Sequence, residues 1–247
     1  MKKVIELINL TKLYPNGRGI SDINLEIYEG DVFGFLGPNG AGKTTAMKIM
    51  TGLVKPDRGD VKIFGHSILE KYEQAMAEVG CIIEVPEAYP FLSAYDNLKQ
   101  FGRFYPDVDR KRIEEVLELT GILKFQNEKP RRFSLGMKQR LGLAAAILSR
   151  PKVLILDEPL NGLDVEGMID IRNLIKRLAE EEKTTFFISS HLIHDVELTC
   201  TRIGVIYQGQ MLNVDTTANI LHNYATLENY FVSEVERNGR VSSSIHQ

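Results

Sequence analysis

The apolar residues of this chain fall into short runs that predict β-strands. Ile23, Leu25 and Ile27 alternate with polar residues, which is the pattern of a strand with one buried face. Nearly unbroken apolar runs predict strands buried on both faces at residues 31–36, 81–86, 153–156 and 185–188. Further strands are predicted at residues 4–10, 61–64 and 203–207.

Segments with helical periodicity lie between these strands. The longest spans residues 96–124, where Ile113, Val116, Leu117 and Leu119 share one face of a helix. Shorter helices are predicted at residues 44–50, 70–79, 141–148, 165–183 and 194–199. Residues 212–247 are less patterned, and we expect residues 242–244 to be frayed. Strands that alternate with helices predict an α/β fold with a mixed or parallel sheet core.

Composition and charge narrow the class of protein. Hydrophobic residues make up 43% and charged residues 26% of the 247 positions, so we expect an ordinary soluble globule. A net charge of -3, with both signs interspersed, argues against a polyanionic partner. No apolar run reaches the roughly 20 residues of a membrane span, and no secretion signal is apparent. Cys81 and Cys200 are predicted to be reduced core residues of a cytosolic protein.

One loop contains a complete phosphate-binding motif between the predicted strand 31–36 and the predicted helix 44–50. The motif G-x-x-x-x-G-K-[ST] is matched by Gly37, Pro38, Asn39, Gly40, Ala41, Gly42, Lys43, Thr44 and Thr45. Its glycines let backbone N–H groups turn inward toward an anion, and the helix adds the positive end of its dipole. Lys43 supplies a charge for the β- and γ-phosphates, and Thr44 supplies a hydroxyl for Mg²⁺. The strand–loop–helix context disfavours the alternative, a Gly-rich turn that precedes Lys-Thr by chance.

Polar side chains directly follow two of the predicted buried strands. Asp157 and Glu158 follow residues 153–156, and ligands of open α/β sheets bind at the carboxyl ends of strands. Because buried carboxylates need a cation or a cleft, we expect Asp157 to hold Mg²⁺ through water and Glu158 to polarise an attacking water. His191 also follows a strand and is a candidate contact of the γ-phosphate. The alternatives are a helix N-cap at Asp157 and a structural role for His191.

Two further segments are candidate binding elements. Ser134 and Gly136 precede a long helix and form a second candidate anion site, for which an ordinary N-cap is the alternative. Tyr14 lies upstream of the phosphate loop and is a candidate to stack on adenine, for which a plain loop aromatic is the alternative.

The motifs, taken together and in this order, resemble the ATP-binding subunit of an ABC transporter. The resemblance covers about residues 1–215 and lies in the phosphate loop and in residues 133–140, 156–159, 162–164 and 190–191. It implies a P-loop NTPase fold with an N-terminal antiparallel β subdomain and an inserted helical subdomain at about residues 85–150. A helical or frayed tail at residues 216–247 would follow. It also implies an ATPase that uses ATP and Mg²⁺ and is coupled to transport.

The resemblance assigns roles to matching residues. Tyr14 corresponds to the adenine-stacking aromatic, Glu158 to the catalytic carboxylate and His191 to the switch histidine. Ser134 and Gly136 correspond to the signature that grips the γ-phosphate of a nucleotide bound to the opposite subunit.

A single chain has one phosphate loop and one signature, so the resemblance implies two copies that face head to tail. Each ATP would lie between Lys43 of one copy and Ser134 of the other, and Asp164 resembles the aspartate that communicates between the sites. Separate membrane permease subunits would move the solute, with the chain on the cytoplasmic face of a bacterial plasma membrane. We expect them to dock beside Glu84, on an aromatic-rich loop that contains Glu87, Tyr89, Phe91 and Tyr95.

Two positions depart from the usual pattern of the family. Glu84 stands where Gln is usual, and its carboxylate binds a hard cation more strongly but repels phosphate when the metal is absent. The signature reads Phe-Ser-Leu-Gly-Met instead of the commoner Leu-Ser-Gly-Gly-Gln, so Leu135 replaces one glycine. Residues 83–86 and 133–140 resemble the bacitracin-resistance and lantibiotic-immunity branch, which exports peptides. Generic multidrug export is the competing interpretation.

Three other classes of P-loop protein fit the sequence less well. A small-molecule kinase would need an acceptor site and has no use for residues 133–140. A GTPase would need an Asn-Lys-x-Asp run that reads guanine, and this sequence has none. A DNA-repair or chromosome ATPase of the same superfamily would have long coiled coils or a large basic surface, and neither is visible.

Overall fold

The computed structural model describes residues 2–84 and 87–244, and these residues form two compact units. The first unit runs up to Ala77 and resumes at Phe187, and the second is Glu78–Phe186. The strands are β1 (Lys3–Leu13), β2 (Gly19–Tyr28), β3 (Val32–Leu36), β4 (Arg58–Ile63), β5 (His66–Ser67), β6 (Val79–Ile82), β7 (Val153–Asp157), β8 (Thr185–Ser190), β9 (Arg202–Tyr207) and β10 (Gln210–Thr216). The α-helices are α1 (Lys43–Met50), α2 (Tyr72–Met76), α3 (Ala94–Gly102), α4 (Arg110–Leu119), α5 (Leu135–Ala146), α6 (Val165–Glu181), α7 (Ile193–Thr199), α8 (Thr217–Asn223) and α9 (Leu227–Ser244). Short 3₁₀ helices occupy Leu123–Phe125 and Pro130–Arg132.

The first unit contains an antiparallel sheet with the strand order β2-β1-β4-β5. Ile23, Leu25 and Ile27 on β2 are buried while the residues between them are exposed, which confirms the predicted one-sided strand. The sheet is the antiparallel β element that the sequence predicts near the N-terminus.

A second set of strands in the first unit leads to the phosphate loop. Its order is β10-β9-β3-β8, and β3 runs parallel to β9. Every residue of β3 is buried, and its two phenylalanines lie 5.5 Å and 5.2 Å, centroid to centroid, from the ring of Phe187. A Cβ on Gly34 would lie 2.6 Å from Val196 Cγ1, so glycine lets α7 pack directly on β3. Parallel and antiparallel pairs together make the sheet mixed, as the sequence predicts.

The second unit is mainly helical around the parallel pair β6 and β7. Helix α5 approaches β6 closely, because a Cβ on Gly80 would lie 2.1 Å from the carbonyl oxygen of Ala146. The buried guanidinium of Arg112 donates to the carbonyl oxygens of Ile147 and Leu148, which follow α5. These bonds satisfy acceptors that a helix leaves unpaired at its C-terminal end. The domain boundaries at residues 85–150 and 215 remain a prediction.

The continuous helix predicted over residues 96–124 is wrong. The structure has α3 and α4 with a non-helical segment between them that contains Pro106, which lacks the N–H that a helix interior requires. Asp109 then begins α4, because its carboxylate accepts from the Arg112 N–H. The helix predicted over residues 70–79 is limited to α2, since β6 already begins at Val79.

Two smaller expectations also need correction. Cys81 is exposed on β6, whereas Cys200 is buried as predicted. The strand predicted at residues 81–86 begins earlier and ends at Ile82, and its last two residues lie outside the described residues. Residues 242–244 are the last residues of α9, where the sequence predicts a frayed end.

Candidate functional site

The phosphate loop lies in the first unit between β3 and α1. Gly40 and Gly42 have φ angles of 81° and 107°, in the left-handed region that favours glycine. A Cβ on Gly42 would lie 2.4 Å from Ile20 Cγ2, and one on Gly37 would lie 2.3 Å from the carbonyl oxygen of Ile206. Backbone conformation and close packing therefore both require glycines in this loop.

Lys43 is the first residue of α1, and only 6% of it is exposed. Its ammonium group donates to the carbonyl oxygens of Gly37 at 2.7 Å and Pro38 at 3.3 Å. The positive charge is thus held inside the curve of the loop. Thr44 and Thr45 follow in the first turn of the helix and are half-buried. A cation, two hydroxyls and a helix N-terminus on one short segment are suited to binding phosphate.

Tyr14 lies in a tight turn of the first unit and is half-buried. Its carbonyl oxygen accepts from the Gly17 N–H at 2.9 Å, and its own N–H donates to the carbonyl oxygen of Arg18 at 2.8 Å. The chain then reaches Gly19, whose carbonyl oxygen lies 3.1 Å from where a Cβ of Gly42 would be. The turn that carries Tyr14 therefore ends against the phosphate loop.

His191 also borders the phosphate loop within the first unit. It follows β8 directly and is half-buried. The N–H of Gly37 donates to the carbonyl oxygen of Ser190 at 3.5 Å, so the end of β8 lies beside the start of the loop.

In the second unit the two predicted carboxylates stand at the carboxyl end of β7. Asp157 is its last residue and is 5% exposed, and Glu158 follows with a left-handed φ of 49°. The Glu158 carbonyl oxygen accepts from the Asn161 N–H at 3.1 Å, so the chain turns sharply there. Helix α6 is capped by Asp164, whose carboxylate accepts from the Gly167 N–H at 2.9 Å. The N-cap alternative therefore applies to Asp164 and not to Asp157.

Ser134 is the N-cap of α5, because its hydroxyl oxygen accepts from the Met137 N–H at 3.2 Å. The N-cap expectation is thus confirmed. It does not compete with anion binding, because a serine hydroxyl that accepts a hydrogen bond can still donate its own hydrogen. Ser134 is exposed and Gly136 is half-buried, so both lie at an accessible helix N-terminus.

Glu84 is exposed and has a left-handed φ of 63° just before the break in the described residues. Within residues 2–84 and 87–244, no group of three or more His, Cys, Asp and Glu side chains is arranged to hold a metal ion. Such a group is not needed for Mg²⁺ at a nucleotide, since this ion takes one or two protein oxygens together with phosphates and water.

The aromatic loop that follows is stabilised by Asn97, which is fully buried. Its side chain accepts from the Tyr89 N–H at 2.8 Å and donates to the carbonyl oxygens of Tyr89 and Ser93. Tyr89 and Phe91 remain 47% and 64% exposed, with ring centroids 5.8 Å apart, while Tyr95 is half-buried in α3.

A groove of about 750 Å³ lies beside this loop in the second unit. Its lining includes Cys81, Glu87, Phe101, Phe104, Tyr105 and Lys138. Phe104 is 83% exposed, although large aromatic residues are normally buried. The sequence did not predict that Phe101, Phe104 and Tyr105 line a groove, because all three fall within the long helix predicted over residues 96–124. The signal was the density of aromatics beside a proline at residues 101–106.

No helix in the part of the chain that the structure describes combines the length and the apolar character that crossing a bilayer requires.

Comparison with known proteins places this chain among transporter ATPases. The sequence profile of the ABC transporter family matches residues 20–161. The uncharacterized ABC transporter ATP-binding protein YhcH of Bacillus subtilis is 44% identical over all 247 residues, which cover 80% of that protein. The bacitracin transport ATP-binding protein BcrA of Bacillus licheniformis is 41% identical over 212 residues, 86% of this chain and 69% of that one. The lantibiotic transport ATP-binding protein SrtF of Streptococcus pyogenes is 39% identical over 209 residues, 85% of this chain and 89% of that one.

A solved structure supports the fold and shows that a related cassette forms a dimer. A dimeric ATP-binding cassette in a post-hydrolysis state, bound to ADP and phosphate, superposes with a TM-score of 0.78 at 28% identity. The match covers 86% of this chain and 98% of that one. These findings confirm the predicted family, the predicted resemblance to bacitracin and lantibiotic transport ATP-binding proteins, and the P-loop fold.

Proposed function

The chain belongs to the ABC transporter ATP-binding family, and on this premise we propose that it powers the export of a peptide antibiotic or related amphiphile. ATP hydrolysis is the activity of the family and of this chain. The substrate class rests on the 41% identity to a bacitracin transport ATP-binding protein over 86% of this chain. The lantibiotic transport relative at 39% identity supports the same class. Generic multidrug export is the alternative that the experiment below separates.

The phosphate loop is the proposed site for the triphosphate. Lys43 places its charge inside the loop, and the N-terminus of α1 would add a positive partial charge toward the anion. Tyr14, on the adjoining turn, is proposed to stack on adenine. These groups hold the nucleotide and stabilise charge on the phosphates.

The proposed ligands of Mg²⁺ are Thr44, Asp157 and Glu84. All three carry hard oxygen donors, the type that Mg²⁺ prefers. Thr44 and Glu84 would bind the ion directly and Asp157 through water, which leaves coordination positions for phosphate oxygens. When bound, Mg²⁺ would neutralise charge on the phosphates. The chain contributes a hydroxyl on the first turn of α1 and a buried carboxylate at the end of β7.

Glu158 is the proposed group that orients and deprotonates the attacking water. Its carboxylate follows β7 on a sharp turn, which separates it from the strand that carries Asp157. His191 is proposed to contact the γ-phosphate and report its presence. This assignment follows from the motifs and from the position of each residue within its own unit.

Each site is proposed to need two copies of the chain. ATP held by Lys43 of one copy would contact Ser134 and Gly136 of the other, so the closed dimer forms only around nucleotide. The Ser134 hydroxyl and the N-terminus of α5 supply donors for the γ-phosphate. Hydrolysis removes these contacts and opens the dimer.

The groove of the second unit is the proposed docking surface for the membrane subunits, at the cytoplasmic face of a bacterial plasma membrane. We define the aromatic groove as Phe101, Phe104 and Tyr105 together with the adjoining Tyr89 and Phe91. Its exposed rings fit an apolar helix end. Ile83 also lines the groove and precedes Glu84, so docking and the metal ligand are adjacent in the chain.

Replacing Phe104 and Phe91 by Ser is expected to weaken recruitment to the membrane by at least ~10-fold, since each ring loses its apolar contact area. The variant is expressed in bacterial cells that contain the membrane subunits, and its membrane-bound fraction is measured beside bacitracin and lantibiotic resistance. We expect resistance to fall with recruitment, while ATP binding by the purified chain is retained.

Leu53→Ser is the matched control, because Leu53 is 64% exposed but belongs to the first unit. Unchanged recruitment of the aromatic variant would reject this docking surface. If the chain gave the same level of resistance to structurally unrelated dyes as to the peptides, generic multidrug export would be favoured.

A further inference from the structure

The turn between β9 and β10 packs against the phosphate loop in the first unit. Its two central residues, Gln208 and Gly209, have left-handed φ angles of 49° and 78°. Gly209 is buried, although the tip of a hairpin normally lies at the protein surface. Its N–H donates to the carbonyl oxygen of Ala41 at 3.0 Å. The turn is therefore bonded directly to the backbone of the phosphate loop.

Gly209 is also bonded to the segment that continues from the Tyr14 turn. Its carbonyl oxygen accepts from the Ser21 N–H at 2.8 Å. A Cβ on Gly209 would lie 2.5 Å from the carbonyl oxygen of Gly19 and 3.3 Å from Ile20 Cα. One residue thus bridges the phosphate loop and the segment that carries Tyr14, and only glycine fits there without displacing backbone.

The β4–β5 hairpin shows that these contacts do not follow from turn geometry alone. Its central residues, Phe64 and Gly65, have φ angles of 51° and 79°, nearly the same as those of Gln208 and Gly209. A Cβ on Gly65 would have no described atom within 4 Å. The two turns share a backbone conformation, but the β9–β10 turn is packed and the β4–β5 turn is open.

We propose that Gly209 is a positioning residue that sets the spacing between the Tyr14 ring and the phosphate loop. This inference rests on the proposed nucleotide site, in which Tyr14 stacks on adenine. The base and the triphosphate belong to one molecule, so both can be bound together only if the ring and the loop are held at a matching spacing. A spacing that is fixed before binding lowers the ordering cost of binding the nucleotide.

The test compares ATP with inorganic tripolyphosphate, which carries the phosphates but no base. Gly209→Ala keeps the N–H that bonds to Ala41, but its methyl group has to displace the backbone at Gly19. We expect ATP affinity to fall by ~5–100-fold, the range that loss of base–aromatic stacking covers. Tripolyphosphate affinity should stay within ~2-fold, because the residues of the phosphate loop are unchanged. Turnover at saturating ATP should stay within ~3-fold, so that the change appears in KM and not in kcat.

Gly65→Ala is the matched control for backbone strain, because it places alanine at the same φ in an open turn. This control should keep its affinity for both ligands. If Gly209→Ala weakened ATP and tripolyphosphate binding equally, Gly209 would support the phosphate loop alone, and the proposal would be rejected. Unchanged ATP affinity in a folded Gly209→Ala variant would also reject it.

Tyr14→Ala separates failure of this inference from failure of the proposed nucleotide site. It should lower ATP affinity by about as much as Gly209→Ala does, and the double variant should bind ATP at most ~2-fold more weakly than either single variant. If the two losses multiply, Gly209 does not act through Tyr14, and the inference alone is rejected. If Tyr14→Ala leaves ATP affinity unchanged, the proposed stacking is rejected and the inference with it.

Hydrogen exchange in the unmodified chain provides the test if Gly209→Ala does not fold. We expect ATP to slow exchange of the Ser21 N–H at least ~5-fold more than tripolyphosphate does, because ATP engages both segments that this bond joins. The Phe64 N–H, which donates to the carbonyl oxygen of Val4 at 2.8 Å, is the control and should exchange equally with either ligand. Equal slowing of Ser21 exchange by the two ligands would overturn the proposal.

Discussion

Replacing Glu158 by Gln is expected to lower the rate of ATP hydrolysis by roughly 10²–10⁴ while ATP binding is retained. Glutamine keeps the size and planarity of the side chain but removes its negative charge and its ability to take a proton. The left-handed backbone at Glu158 and the hydrogen bond from Asn161 do not involve the carboxylate, so the loop should keep its shape. The loss should therefore fall on the chemical step.

Single-turnover hydrolysis and equilibrium binding of ATP separate the two effects. Glu180→Gln is a matched control, because Glu180 is an exposed glutamate of α6 in the same unit. This control should hydrolyse ATP at the normal rate. Near-normal hydrolysis by Glu158→Gln would remove Glu158 from its proposed role, and a parallel loss of ATP affinity would assign it to binding.

Ser134→Asp is expected to lower turnover by roughly 10²–10³, because it places a negative charge within a few ångströms of the γ-phosphate of the opposite copy. Aspartate is as good an N-cap as serine, so it can accept from the Met137 N–H as the hydroxyl does. The stability of α5 should therefore remain. ATP binding to the monomer should also remain, since its phosphate loop is unchanged.

Ser134→Asp separates two roles of the Ser134 hydroxyl, capping of α5 and the proposed contact with the γ-phosphate. Ser134→Ala removes the cap as well as the phosphate donor, so by itself it cannot tell them apart. If Ser134 were only a helix cap, Ser134→Asp would keep the activity of the unmodified chain, and Ser134→Ala would have a lower melting temperature. The two-copy site predicts that Ser134→Asp lowers turnover more than Ser134→Ala does. It also predicts that Ser134→Asp keeps the melting temperature of the unmodified chain.

The phosphate loop could be predicted because all of its functional residues are close together in the sequence. Its glycines, Lys43 and Thr44 are consecutive, and the buried strand before them has no polar residue after Asp31. Their chemistry follows from neighbours in the chain, so prediction and structure agree on the strand, the loop and the helix. The one-sided burial of β2 could be predicted for the same reason.

Features that depend on distant packing could not be predicted. Pro106 is compatible with either a kinked helix or two helices, and the cap at Asp109 favours two. Cys81 was predicted to be buried from its apolar neighbours, but it lies on the exposed side of β6. The hydrogen bond from Gly209 to Ala41 joins segments far apart in sequence, so no periodicity indicates it.

The central claim is that two copies of the chain enclose each ATP, and a crystal structure of Glu158→Gln with ATP and Mg²⁺ tests it most directly. The account predicts a head-to-tail dimer in which Lys43 of one copy and Ser134 of the other contact the same triphosphate. A triphosphate contacted by one copy alone, with Ser134 remote from any phosphate, would contradict it.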